Sequence, residues 1–197
     1  MIVFASNNPG KLKEITLLLP PSILINDLAS IHCQEELEES QNTLEGNALQ
    51  KARYVMHKYN VSCFADDTGL EIEALGGRPG VFSARYAGEQ KNAEDNMNKV
   101  LTEMSAISNR KARFRTVIAL VLKETMGIQP KEYLFEGIVN GLIAPSKQGK
   151  AGFGYDPIFI PEGYSETFAN MNTGEKNKIS HRGKAVAQLV QFLKTER

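Results

Sequence analysis

The sequence predicts an α/β fold in which a mixed central sheet is flanked by helices, and two observations lead to it. The short apolar runs at 2–5 and 61–65 are typical of buried strands, and a segment with helical spacing of apolar residues lies beside each. The longer segments 112–123 and 132–143 are strand-like and are separated by a turn, which predicts an antiparallel pair. Strand–helix units together with an antiparallel pair indicate a mixed sheet with helices on its faces.

The composition is that of one soluble globular domain, which we expect to span residues 1–197. Apolar residues make up 42% of the chain and charged residues 23%, both ordinary for such a protein. The 23 basic residues equal the 23 acidic ones and form no stripe, so we expect no nucleic-acid partner. The longest strongly apolar run, 117–122, is far too short to cross a bilayer, so we expect no membrane association.

The beginning of the chain and its cysteines both predict a cytoplasmic location. Residues 1–5 lead directly into a polar loop without the apolar region of a signal peptide. The two cysteines, Cys33 and Cys63, match no metal-site spacing and make no disulfide framework. We therefore expect a reduced, intracellular protein.

The first strand, 2–5, is followed by a candidate phosphate-binding loop. Residues 6–11 (SNNPGK) are rich in turn formers, and a helix follows whose apolar residues run as far as Pro20. A strand, a glycine-containing loop, a lysine and a helix start together favour anion binding, because helix N–H groups and the dipole attract negative charge. The alternative is an ordinary capped helix with a solvated Lys11.

An acidic segment and a second helix come next. Segment 20–41 has no regular pattern, and its glutamates, Glu39 among them, are typical of a solvated face. A helix begins after Thr43, a plausible N-cap, and its apolar stripe continues to Tyr59. Lys51 lies off that stripe, either in solvent or reaching over a site.

Two adjacent carboxylates follow the next strand, 61–65. Asp66 and Asp67 stand where we expect this strand to end, directly before Thr68 and Gly69. Paired carboxylates suit Mg²⁺, which takes oxygen ligands and shares them with substrate phosphates. The alternative is a strand that ends in a turn capped by an Asx side chain.

The remaining segments add a helix, two strands, an aromatic loop and a basic cluster. We expect a helix over 92–104, and a turn over 124–131 between the two long strands. Glycines flank aromatic residues in 149–159, which is a pattern suited to a nucleobase or to an ordinary turn with core aromatics. Cations at 176–184 precede the last helix and either converge on phosphates or are solvated. Together, these features describe a nucleotide pocket with a metal ion and predict phosphoanhydride cleavage.

Five motifs, in order, resemble the inosine triphosphate pyrophosphatase family along nearly the whole chain. They are SNNPGK at 6–11, ADDTGL at 65–70, GGRPGVFSARYAG at 76–88, GFGYDPIF at 152–159 and SHR at 180–182. The resemblance implies an elongated mixed sheet with two lobes and the active site in the cleft, and a homodimer. It also implies Mg²⁺-dependent hydrolysis of purine nucleoside triphosphates with non-standard bases (dITP, ITP and XTP) to monophosphate and diphosphate.

The resemblance assigns roles to individual residues. It implies that Asp67 is both the proton acceptor and a Mg²⁺ ligand, with Asp66 supporting it and Glu39 as the second metal ligand. The residues that it implies for substrate binding are Ser6, Asn7, Asn8, Pro9, Gly10, Lys11, Lys51, Thr68, Arg85, Phe153, Gly154, Tyr155, Asp156, Lys176, His181 and Arg182.

One position departs from the family pattern. Many relatives carry a glutamate directly before the pair that is Asn47-Ala48 here, whereas this chain has Gly46, with Glu45 one step earlier. Two other functions stay open, and Gly46 favours only the second of them. One is a Maf-type pyrophosphatase of other nucleotides, and the other is a nucleotide-binding regulator without turnover.

Overall fold

The structure is a computed structural model that describes residues 2–123 and 130–195. Within these ranges the strands are β1 (Ile2–Phe4), β2 (Ile25–Asn26), β3 (Cys63–Ile72), β4 (Pro79–Gly80), β5 (Lys111–Leu122), β6 (Lys131–Ile143) and β7 (Phe159–Pro161). The α-helices are α1 (Pro9–Leu18), α2 (Leu44–Tyr59), α3 (Ala93–Glu103), α4 (Thr173–Ile179) and α5 (His181–Thr195). Most of the turn predicted over 124–131 lies outside the described residues.

The strands form one mixed sheet, as predicted. Their order is β2-β1-β3-β5-β6-β7, and β4 pairs with β3 off this path. β1 runs parallel to β2 and to β3, whereas β4 is antiparallel to β3 and β7 is antiparallel to β6. β2 was not predicted, because a strand of two residues is too short to show an alternating pattern.

The chain divides into two compact units. The first comprises residues 1–67, 116–137 and 182–197, and the second comprises 68–115 and 138–181. The prediction of a single domain over 1–197 stays a prediction. Within the described residues, no helix has both the length and the apolar character needed to cross a bilayer.

In the first unit, helices cover both faces of the sheet, and alternate strand residues pack on different helices. Val3, Ala65 and Ala119 belong to a buried cluster with the apolar residues of α2. Phe4, Phe64 and neighbouring residues of β5 belong to another cluster with apolar residues of α1 and α5. Successive strand side chains point to opposite faces, so one face of β1, β3 and β5 contacts α2 and the other contacts α1 and α5.

The core of the second unit is built on strand residues, α3 and a group of aromatic rings. Leu70 and Ile72 of β3 pack in one buried cluster with Met97 and Val100 of α3. The Phe114 ring lies 4.7 Å from Phe159 and 6.3 Å from Phe168, measured between centroids. α4 also lies in this unit and was not predicted as a helix, since its seven residues contain a single apolar position, Ile179.

Side-chain caps fix where the helices begin. The Asn8 side chain accepts a hydrogen bond from Lys11 N, and Pro9 occupies the first helical position of α1. The predicted loop 6–11 is therefore shorter than expected, because its last three residues already form the first turn of the helix. Thr43 caps α2, as predicted, by accepting from Gly46 N, and Asn92 caps α3.

The strand that carries the two aspartates is longer than predicted. We expected it to end at Ala65, but β3 continues to Ile72, so the two carboxylates lie within the strand. Gly69 does not mark a turn: a Cβ on it would lie 2.6 Å from the carbonyl oxygen of Gly80 in β4. The glycine instead allows two backbones to approach closely, which is a regular use of glycine inside a strand.

We expect Gly69→Ala to destabilise the protein. The added methyl group meets a backbone carbonyl, so strands must shift, and such overpacking costs about 1–3 kcal/mol. The matched control is Gly174→Ala in α4, where the nearest atom lies at an ordinary 3.5 Å and alanine favours the helix by about 0.5–1 kcal/mol. Urea unfolding of both variants measures the difference, and equal midpoints would contradict the close approach of β3 and β4.

Candidate active site

The alternation of β3 sends its two aspartates to opposite faces of the sheet. Asp66 follows Phe64 on the face that packs on α1 and α5, and its carboxylate contacts Lys11 of α1 and Arg182 of α5. Asp67 follows Ala65 on the face that packs on α2, and its carboxylate contacts Asn47 of α2. Period-two geometry therefore gives two adjacent residues two different environments.

Asp66 is a buried anion that holds two cations in place. The Lys11 ammonium lies 3.2 Å from its Oδ1, and Arg182 donates from Nε and Nη2 to Oδ2 at 3.2 Å each. Burial alone would raise the pKa of Asp66, but Lys11, Arg182 and then Lys51 lower it well below its usual value. Arg182 is itself 1% exposed and pairs additionally with Glu14 of α1. Asp66 is therefore an anion at neutral pH.

Asp67 has the opposite character. It is buried, and its Oδ2 accepts a hydrogen bond of 2.9 Å from Asn47 Nδ2. Burial raises its pKa, and this effect outweighs the lowering by Lys51 and Lys11. Neighbouring carboxyl groups whose pKa values are pushed apart are a recognised sign of divided acid–base roles. A carboxylate with a raised pKa is the better proton acceptor of the two.

Lys51 and Glu39 complete the charged group in this unit. Lys51 is almost fully buried, donates to the main-chain oxygen of Asp66 at 2.8 Å and forms an ion pair with Glu39. Burial lowers the pKa of Lys51, but the charges of Asp67, Glu39 and Asp66 raise it above its usual value. Lys51 is therefore buried against Asp66 and Glu39 and is not in solvent.

The oxygen donors here suit a hard divalent cation. Asp67 and Glu39 are close enough for the Glu39 charge to act on the pKa of Asp67. Within the part of the chain that the structure describes, no group of three or more His, Cys, Asp or Glu side chains is arranged to hold a metal ion. Mg²⁺ is commonly bound by one or two carboxylates together with substrate phosphates. A pair of carboxylates beside a phosphate-binding loop is therefore a donor set that fits it.

The loop before α1 is shaped by its own side chains. Ser6 Oγ accepts from Asn8 N at 3.2 Å, and Asn8 Oδ1 accepts from Lys11 N at 3.1 Å. Pro9, which has no N–H, and Gly10 form the first turn of the helix, so the Gly10 N–H is the group of this turn that faces an anion beside the Lys11 ammonium. Burial lowers the pKa of Lys11, and the charge of Asp66 partly restores it.

The second unit contains the aromatic part of the predicted site. Asp156 Oδ2 accepts from Phe153 N at 2.9 Å and from Lys176 Nζ at 2.8 Å. This Lys176 ammonium lies 5.5 Å from the centroid of the Phe153 ring, which is 36% exposed. Gly152 has a φ of 79°, and a Cβ there would lie 2.1 Å from Asp156 Oδ2. The glycine thus lets the chain fold over the carboxylate and present the ring.

The other predicted residues of the second unit have mainly internal contacts. The Tyr155 hydroxyl donates to the main-chain oxygen of Ser83 at 2.8 Å, and the His181 ring stacks on Phe114 at 4.5 Å. Arg85 lies over the Phe82 ring at 5.4 Å. The predicted site residues are thus divided between the two units. The first unit holds Ser6, Asn7, Asn8, Pro9, Gly10, Lys11, Glu39, Lys51, Asp67 and Arg182, and the second holds Thr68, Arg85, Phe153, Gly154, Tyr155, Asp156, Lys176 and His181.

The sequence analysis missed two contributors, Asn47 and Glu14. Asn47 lies four residues before Lys51, on the same side of α2. The sequence signal available for Asn47 was a polar residue beside the apolar stripe of this helix. Gly46, the departure from the family pattern, has little space: a Cβ would lie 2.7 Å from Gln41 Cβ. The Gln41 side chain therefore occupies the place of a side chain at 46, and the Glu39 charge acts on Asp67.

The chain is similar to characterised proteins along almost its full length. Residues 2–192 match the model of the Ham1 family. The dITP/XTP pyrophosphatase of Flavobacterium psychrophilum is 56% identical, with 98% of each chain covered, and that of Bacillus subtilis is 45% identical, with 97% of this chain and 96% of the relative covered. The solved Ham1 protein of Staphylococcus aureus is 38% identical with a TM-score of 0.87, covering 100% of this chain and 99% of the other.

We expect the two aspartates to differ sharply in their effect on stability. Asp66→Asn leaves Lys11 and Arg182 buried without their shared anion, which costs about 3–5 kcal/mol in unfolding free energy at pH 7. Asp67→Asn removes a charge that burial already disfavours and keeps an acceptor for Asn47, so its stability stays close to that of the wild type.

The pH dependence gives a second check on Asp66. Because its pKa is lower in the folded than in the unfolded state, its contribution is complete above the unfolded pKa of about 4 and is lost as pH falls below it. The difference between wild type and Asp66→Asn should therefore shrink below about pH 4. Urea unfolding at several pH values measures it, and equal destabilisation by the two substitutions at pH 7 would contradict the distinct environments.

Proposed function

This chain belongs to the Ham1 family, and we propose that it hydrolyses dITP, ITP and XTP to the monophosphate and diphosphate. The observation that carries the proposal is the pair of aspartates on β3. Asp66 is a fixed anion among Lys11, Arg182 and Lys51, whereas Asp67 has a raised pKa. The full-length relatives named dITP/XTP pyrophosphatase support the substrate class.

The first unit supplies the groups for phosphoanhydride cleavage. The Gly10 N–H at the start of α1 and the Lys11 ammonium bind phosphate oxygens and offset the charge that builds on the leaving diphosphate. Asp67 accepts the proton of the attacking water, and Asn47 holds its carboxylate in one orientation. Asp66 keeps Lys11 in place through their ion pair.

We propose Mg²⁺ as the cofactor, held by Asp67 and Glu39. When bound, it supplies neutralisation of phosphate charge and Lewis-acid polarisation of the phosphoryl group. Lys51 pairs with Glu39 and donates to the main-chain oxygen of Asp66, so it fixes the Glu39 carboxylate relative to β3.

The second unit supplies the groups for the base. Phe153 offers a partly exposed ring for stacking, and Asp156 holds the Lys176 ammonium above that ring. An ammonium group donates hydrogen bonds and accepts none. It therefore suits the 6-oxo group of hypoxanthine or xanthine. Opposite the amino group of adenine, the ammonium would have no acceptor, and such a mismatch can change specificity by orders of magnitude.

We also propose that the protein acts in the cytoplasm as a homodimer. Cys33 and Cys63 are free thiols, which are usual in a reducing compartment. The family resemblance supports the homodimer.

The test of the function is diphosphate release with Mg²⁺ from ITP, dITP, XTP, GTP, ATP and TTP at equal concentration. We expect strong preference for the first three. Preference for TTP would favour a Maf-type enzyme, and binding of ITP without turnover would favour a regulator; either outcome overturns the proposal.

We expect Asp67→Asn to lose turnover while it keeps its fold and its affinity for metal-free ITP. Loss of a general base lowers kcat by about 10²–10⁴-fold. Pre-steady-state and steady-state diphosphate release measure kcat, and calorimetry measures ITP binding. A variant that retains near wild-type kcat would show that another group accepts the proton.

We expect Phe153→Ala to raise KM for ITP by about tenfold, because stacking of one base on one ring contributes about 1–3 kcal/mol. If the ring binds ground state and transition state equally, kcat stays within about twofold of wild type. Tyr164→Ala is the control, since Tyr164 is an equally exposed aromatic of the same unit that lines a cavity with Glu71 and Leu142. Equal falls in kcat and kcat/KM would contradict a purely binding role.

A further inference from the structure

The Asn7 side chain is bonded on both sides to the main chain of another segment. Its Nδ2 donates to the Glu35 carbonyl oxygen at 3.0 Å, and its Oδ1 accepts from Leu37 N at 2.9 Å. A carboxamide is the side-chain group that offers a donor and an acceptor side by side. Asn7 therefore pairs with residues 35–37 much as a neighbouring strand would.

Segment 33–39 is fastened at several further points. Cys33 and Leu37 are buried in the cluster that packs on α2. Between them, the Glu35 carboxylate accepts hydrogen bonds from Lys58 and from the Tyr59 hydroxyl at the end of α2, and one from the Cys33 thiol. Side-chain hydrogen bonds from Lys58 and Tyr59 keep the pKa of Glu35 well below its usual value.

The same segment leads directly to the proposed metal site. Glu39 lies two residues beyond Leu37 and pairs with Lys51. Beyond it, Ser40 N donates to Gln50 Oε1 at 3.1 Å and Gln41 N donates to Asn47 Oδ1 at 2.9 Å. Asn47 is the residue that holds Asp67. One continuous run of contacts thus joins the phosphate-binding loop to both carboxylates.

We propose that Asn7 is a positioning residue that clamps the phosphate-binding loop to the segment carrying Glu39, with Glu35 as the anchor of that segment on α2. This inference rests on the proposed function and assigns Asn7 a role other than direct contact with the triphosphate. The clamp holds the N–H groups of the loop and the Glu39 carboxylate at a fixed separation before substrate arrives. Pre-organisation of this kind lowers the entropic cost of binding phosphate and metal together.

The sharpest variants are Asn7→Leu, Glu35→Ala and their double mutant. Leucine keeps the shape of asparagine without its hydrogen bonds, and alanine at 35 removes the anchor, which lies outside the proposed site. The matched control is Glu132→Ala, because Glu132 also forms an exposed ion pair with α2, through Arg53. Glu132 makes no contact with segment 33–39 among the interactions described here.

We expect each single substitution to raise KM for ITP and the Mg²⁺ concentration for half-maximal turnover by about tenfold, since small misplacements at active sites have effects of this size. At saturating ITP and Mg²⁺, kcat should fall by less than about threefold, because Asp67 and Asn47 are unchanged. A general loss of folded protein would instead lower kcat and leave KM alone. The Glu132→Ala control should match wild type in all three quantities.

The double mutant decides between positioning and direct contact. If Asn7 and Glu35 act through one clamp, the double mutant loses about as much as either single mutant, because coupled residues are not additive. If Asn7 contacts only the substrate, Glu35→Ala leaves KM unchanged, and if the two residues act independently, the losses of the single mutants multiply in the double mutant. Either of these last results overturns the proposal.

Hydrogen exchange tests the clamp without any turnover. The Leu37 amide is bonded to Asn7 Oδ1, so its protection should fall by at least about tenfold in Asn7→Leu and in Glu35→Ala, and not in Glu132→Ala. Unchanged protection would overturn the clamp even if ITP is the substrate. Loss of protection in a protein that turns over no triphosphate would overturn the proposed function and leave the clamp standing.

Discussion

The buried carboxylate of Asp66 is the interaction on which the first unit depends. It pairs with Lys11 of α1 and Arg182 of α5. The main-chain oxygen of the same residue accepts a hydrogen bond from Lys51 of α2. Buried cations are costly without a partner, so the Asp66 anion stabilises the approach of Lys11 and Arg182 to this point of β3. Asp66, to which the family resemblance gives a supporting role beside Asp67, holds Lys11 and Arg182 in place in the structure.

The difference in surroundings between the two adjacent aspartates follows from strand geometry alone. Consecutive residues of a strand face opposite sides of the sheet, so two identical neighbouring residues have different surroundings. Asp66 faces two cations and has a lowered pKa, whereas Asp67 faces Asn47 and has a raised pKa. A helix would have placed the two carboxylates about 100° apart on one side, where such a contrast is harder to build.

Much of the fold was predictable, because amphipathic spacing is local. The cap at Thr43, the bounds of α3 and the two long strands follow from residue patterns that need no tertiary information. The end of β3 was predicted wrongly, because a strand that buries two carboxylates is possible only with partners such as Lys11 and Arg182, which are distant in sequence. The family resemblance named the site residues, but it did not reveal Asn47 or Glu14, whose roles arise from contacts across the fold.

The pairing of Arg182 with both Asp66 and Glu14 has a consequence for ligand affinity. A guanidinium that is already satisfied by two carboxylates has little to gain from a third anion. A phosphate or a base oxygen that reaches Arg182 must compete with Glu14. Its net gain in binding free energy is the difference between the energies of the two interactions with Arg182. For the triphosphate that we propose as the ligand, Glu14 is therefore a competitor at Arg182, and it disfavours small anions that make no other contact.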